Sequence, residues 1–118
     1  MQSRRHERVR ELLIRTLGEM VRREFSVAET GVITVTDVSL ANDLHSAVVF
    51  VSIYGTDTQK QKGLELLKNQ RKHLQTLLGQ AVVLKNTPRL FFRWDDSLER
   101  GDRVLHIIEE LEASNPTE

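Results

Sequence analysis

The chain has 118 residues, of which 39% are apolar, and 17 Lys and Arg balance 17 Asp and Glu. That length suits one compact domain, and that mixture of apolar and charged residues is not the composition of a disordered chain. The absence of cysteine excludes disulfide scaffolds, thiolate catalysis and Cys-based zinc sites, and no apolar run is long enough for a membrane-spanning helix.

Residues 4–25 form an amphipathic pattern. Val9, Leu12, Leu13, Thr16, Leu17, Met20 and Val21 recur at three and four, which predicts a helix with one apolar stripe. Arg4, Arg8, Arg15 and Arg22 fall on the opposite side, with Glu11 and Glu19 placed to pair with Arg15 and Arg22. Met1–His6 leads into this charged segment rather than into a signal h-region, so a soluble cytoplasmic protein is expected. Residues 26–31 break the pattern and end in Gly31. Val32–Leu40 reads as a strand whose alternation shifts parity, which predicts a bulge near Thr36-Asp37. Ala41-Asn42-Asp43 supplies a turn, and His45–Tyr54 a second strand. One face of that strand carries Ala47, Val49, Val51 and Ile53, and the other is mixed. So short a connection predicts an antiparallel hairpin.

Thr56 to Thr58 offer helix N-cap chemistry for a helical region over 58–79, with Leu64, Leu67, Leu74 and Leu78 on one side. Lys68–His73 interrupts that stripe, so either the turn is exposed or two shorter helices meet there. Gly79 reads as the stop. Ala81–Trp94 regains strand character around Asn86-Thr87-Pro88, with Pro88 expected at a strand start or an edge. Leu90, Phe92 and Trp94 alternate as a core face. Asp96 and Glu99 fit the start of a last helix over about 97–113, striped by Val104, Leu105, Ile108 and Leu111. The order α-β-β-α(α)-β-α suits an α+β domain over 1–113, helices on a three-stranded sheet, with a flexible tail over 114–118.

No catalytic constellation is legible. There is no Gly-rich phosphate loop, and His6, His45, His73 and His106 lie on four different elements, which does not make a metal site. Asp95 and Asp96 are adjacent and suit helix capping better than an acid/base pair. The expectation is a protein without catalytic residues, metal or cofactor.

Charge is the informative feature. Residues 60–93 hold eight basic residues against Glu65 alone, a net of +7, whereas 26–59 carry −4 and 94–118 carry −6. Such a block is either a surface balanced by neighbouring acids or a patch that faces a polyanion. Lys68, Arg71 and Lys72 crowd the possible helix junction, where the N–H groups of a new helix could also meet a phosphate. Lys85 and Arg89 follow, and Arg4, Arg5 and Arg8 are the N-terminal cations with the fewest acids nearby. These eight residues are the candidate polyanion contacts, read as RNA contacts on the family resemblance below.

The chain resembles the ribosome-binding factor A family. The resemblance is carried by Arg8-Val9, Val35-Thr36-Asp37-Val38, Asp43-Leu44 and Ala47-Val48-Val49-Phe50-Val51-Ser52. It is most specific in Pro88-Arg89-Leu90-Phe91-Phe92-Arg93-Trp94-Asp95-Asp96-Ser97 with Gly101, which matches P-x-L-x-F-x-x-D-x-S-x-x-x-G. The likeness runs from about residue 4 to 111. It implies a type II K-homology-like α-β-β-α-α-β fold with an added C-terminal helix. It also implies an assembly factor that binds 16S rRNA in the immature 30S subunit and supports rRNA maturation and cold adaptation; the further expectation is a non-catalytic monomer that needs a separate release factor. Where the family has an Ala-x-Gly kink this chain has Gln70-Arg71-Lys72, and of the family's Pro-Arg-x-x-Gly approach to the first strand it keeps Gly31. The rival expectation is a small α/β protein-interaction module that uses an acidic C-terminal helix.

Overall fold

The computed structural model describes residues 4–95. The elements are α1 (Arg4–Glu24), α2 (Val27–Thr30), β1 (Val32–Leu40), β2 (Ser46–Tyr54), α3 (Asp57–Asn69), α4 (Arg71–Ala81) and β3 (Arg89–Trp94). The sheet order is β1-β2-β3, antiparallel between β1 and β2 and parallel between β2 and β3. The parallel pair requires a long crossover, which α3 and α4 provide. This is the expected α-β-β-α-α-β order. The expected last helix over 97–113, the Asp96–Glu99 cap, Ser97 and Gly101 lie outside the described residues.

One face of the sheet carries the core. Ile33, Val35, Val38 and Leu40 of β1, Ala47, Val49, Val51 and Ile53 of β2, and Leu90 and Phe92 of β3 pack with Leu13, Leu17, Met20 and Val21 of α1. Leu67 of α3 and Leu74 and Leu78 of α4 complete it, each fully buried. The parity shift in β1 is a bulge between Val35 and Asp37, where Asp37 rather than Thr36 takes Phe50 as its partner. The extra residue lets Ile33 and Val38 face the same core despite their odd spacing. Arg10 of α1 fastens that bulge, donating from Nε to Val38 O at 3.2 Å and pairing through Nη2 with Asp37.

Two glycines set close approaches. Gly31 has φ +69°, and a Cβ there would overlap Tyr54 O. It turns the chain from α2 into β1 in a conformation that L side chains rarely adopt. Buried Gly63 lets α3 settle on β2, since a Cβ would meet Ile53 Cδ1 at 2.6 Å. The start of α3 is a reciprocal cap. Thr56 Oγ1 accepts from Gln59 N at 3.1 Å, and Gln59 Oε1 accepts from Thr56 N at 2.9 Å.

Four expectations need correction. Residues 26–31 contain the short helix α2 rather than only a break. Gly79 does not stop a helix: α4 continues to Ala81, because Val82 N still finds Leu78 O at 3.0 Å. The strand begins at Arg89, not Ala81. Residues 82–88 bury Val82 and Leu84 against the core without joining the ladder, so their apolar alternation reflects packing and not pairing. Trp94 is not core. It is 38% exposed at the end of β3, whereas Phe92 is 1% exposed. Pro88 stands where a missing N–H costs least, directly before β3.

Candidate nucleic-acid interface

The gap in the leucine stripe is a helix junction. α3 ends at Asn69, Gln70 takes φ −95° and ψ 12°, and α4 begins at Arg71. Gln70 serves both helices, donating to Leu66 O at 2.8 Å and accepting from Leu74 N at 2.9 Å. A one-residue break thus bends the chain without the glycine of the family's kink. Gln70 gives α4 no side-chain cap, so the first N–H groups of α4 keep their partial positive charge at the junction.

Beside this junction lies an open groove of about 600 Å³ lined by Arg71, Lys72, Gln75, Thr76, Thr87 and Arg89. Its three charged residues are all cations. The crossover brings them together: α4 supplies Arg71 and Lys72, and the parallel return of the chain places Arg89 at the head of β3. Gln75 locks that arrangement, its Oε1 accepting from Leu90 N at 3.0 Å along the outer edge of β3. The Arg71 guanidinium sits 5.2 Å from the centroid of the Phe91 ring, and that of Arg89 sits 5.6 Å from the same ring. The ring holds both planar cations by electrostatic attraction to its π face. Arg89 Nη1 is buried and has no hydrogen-bond acceptor among the described residues. That nitrogen is enclosed by the protein, so the groove presents its charge through the accessible parts of Arg71, Lys72 and Arg89.

The other candidate cations divide. Arg5 and Lys85 line a second cavity of about 500 Å³, together with His6, Asn42, His45 and Asn86. Thr87 and Arg89 line the cationic groove while Lys85, Asn86 and Pro88 line this cavity, so one stretch of chain separates the two. Lys68 is exposed in the last turn of α3, and Arg4 and Arg8 are exposed on α1; none of the three lines either cavity. Arg15 and Arg22 are exposed on the solvent side of α1, as the helix pattern implied. Sequence reasoning missed Gln75, Thr76 and Thr87 as groove residues and Phe91 as the platform for two arginines. Phe91 carried a faint signal, since it alternates out of phase with the core residues Leu90 and Phe92.

Among the described residues no group of His, Asp and Glu could hold a metal ion. No helix of these residues is long and apolar enough to cross a membrane. What the site offers is fixed positive charge, planar guanidinium donors and an open groove, which together suit a phosphate backbone.

A family model described as ribosome-binding factor A matches residues 5–108. The chain is 36% identical over 111 residues to ribosome-binding factor A of Halothermothrix orenii, covering 94% of this chain and 91% of that protein. It is 38% identical over 118 residues to ribosome-binding factor A of Microcystis aeruginosa, covering 98% and 92%. The crystal structure of ribosome-binding factor A from Thermus thermophilus superimposes with a TM-score of 0.66 at 22% identity, covering 75% of this chain and 93% of that one. A homology model of the Thermus thermophilus factor, fitted into a cryo-EM map of its complex with 30S, gives a TM-score of 0.62 at 24% identity, covering 70% and 87%. At that identity the two structural likenesses speak for the fold.

Proposed function

The chain belongs to the ribosome-binding factor A family, and on that premise we propose that it is a cytoplasmic, monomeric assembly factor that binds 16S rRNA in the immature 30S subunit. It works by binding without chemistry. The groove of Arg71, Lys72 and Arg89 docks on rRNA phosphates and holds an immature conformation until a separate factor releases the protein. Lys68 extends the same positive surface from the end of α3, and Lys85 with Arg4, Arg5 and Arg8 add contacts beyond the 85–89 segment. The fitted complex of the Thermus thermophilus factor supports the choice of the small subunit as partner.

The single observation that carries the reading is the convergence of Arg71, Lys72 and Arg89 in one open groove that no acid lines. A solvated, ion-paired surface would place acids among those cations, and none lines the groove. Phosphate oxygens pair with these cations, and counterion release supplies much of the affinity. Binding of the purified chain to immature 30S subunits, measured across a range of salt concentrations, tests the proposal. A steep straight line of log affinity against log salt is expected. A flat line would show that phosphates do not dominate the contact.

A further inference from the structure

We propose that the cavity between the N-terminus of α1, the β1–β2 turn and the 83–88 segment binds one unpaired nucleotide of RNA. Its base lies on the apolar part of the lining and its phosphate on Arg5 and Lys85. The inference rests on the RNA-binding reading above and adds to it a second, differently built subsite.

The cavity holds about 500 Å³, a volume suited to a small ligand such as a nucleotide. Its lining is mixed, and the apolar part is fixed, because Val9, Leu44 and Leu84 all pack against the main core. Val83 is fully exposed at 101% and lines the same cavity as His45, so an aliphatic side chain and an imidazole are both open to the face of a base. Asn42 and Asn86 supply amide donors and acceptors for base edges. Arg5 and Lys85 supply two positive charges against one acid, Asp43, whose Oδ1 already accepts from His45 N. A bare anion would use those cations and gain nothing from the apolar part, whereas a nucleotide uses both.

The cavity is also preformed. Leu44 adopts φ +64°, an uncommon conformation for a residue other than glycine. It is held there by Leu44 N donating to Ala41 O at 2.9 Å and by Asp43 Oδ1 accepting from His45 N at 2.9 Å. Arg89 N donates to His45 O at 2.9 Å, tying this loop to the start of β3. Strain maintained so firmly in a turn that lines a cavity marks a built site rather than a loose loop.

Two measurements on the full chain test this. In an NMR titration, adenosine 5′-monophosphate is expected to shift the amides of Leu44, His45, Val83 and Lys85, and inorganic phosphate at the same concentration is not. Phosphate reproducing the pattern, or no shifts with the nucleotide, would overturn the proposal. The double variant Val83→Ser with His45→Ala, both exposed positions, is expected to weaken binding to immature 30S subunits by about fivefold or more, the loss typical of one stacked base. Equal binding by variant and wild type would remove the nucleotide site and leave the RNA reading standing. A wild-type chain that does not bind would refute the RNA reading, and the nucleotide titration alone would then decide the cavity.

Discussion

Replacing Arg71 and Lys72 together by alanine separates electrostatic docking from packing at the helix junction. Each phosphate contact contributes about 0.9 to the salt slope on a duplex and about 0.7 on a single strand, so losing two lowers the slope by about 1.4–1.8. Between about 50 and 200 mM salt the wild type therefore loses about 7–12-fold more affinity than the variant, and the defect of the variant narrows by that factor. The sequence alone suggests almost no cost in stability, but Arg71 is half-buried with its guanidinium 5.2 Å from the Phe91 ring. Losing that contact costs about 0.5–1 kcal/mol, and exposed Lys72 adds at most about 0.5. Thermal unfolding should move down by about 4–8 °C per kcal/mol. The assay is a salt series with immature 30S subunits, read beside a melting curve. A folded variant with the wild-type slope would refute the reasoning and place the main phosphate contact on Arg4, Arg5 and Arg8. Collapse of the fold would show instead that the junction is structural.

Gly31→Ala should destabilise the domain by about 2–4 kcal/mol, since it adds left-handed strain to an overlap with Tyr54 O; urea unfolding reads this, and a loss under about 1 kcal/mol would mean that the α2–β1 turn can relax. Leu74→Ala should cost about 2–5 kcal/mol in the same assay, because Leu74 is fully buried in the core just below the junction. A much smaller cost would mean that α4 is not held by the sheet.

The order of the elements was legible because each apolar pattern has its own period. The bulge at Thr36-Asp37 was legible for a related reason: a change of parity within one strand that stays half-buried has few other causes. The errors cluster where apolar residues pack without regular pairing. Val82 and Leu84 alternate like a strand yet only cover the core edge. Trp94 keeps the phase of Leu90 and Phe92 but lies at the end of the strand, where the helical layer no longer covers it. Gly79 read as a stop because glycine is common there, and nothing local reveals that Leu78 O would still find Val82 N. At the site, the cationic excess of 60–93 was plain from the missing acids. Which cations converge was not, because Arg89 meets Arg71 and Lys72 only through the parallel return of β3.

The same geometry explains how a chain of zero net charge can still serve as a polyanion binder. The described domain extends 38 × 32 × 26 Å, and exposed charges are screened over about 8 Å at physiological salt. An acid farther than that from the groove therefore weakens its field very little. The groove itself presents Arg71, Lys72 and Arg89, and no acid lines it. Segregating the acids into other stretches of the sequence keeps the whole molecule neutral, which limits nonspecific long-range attraction to nucleic acid, while the groove retains its short-range grip. Such a protein depends on shape and close approach to find its site. That dependence suits a partner whose phosphates are correctly spaced in only one of its conformations.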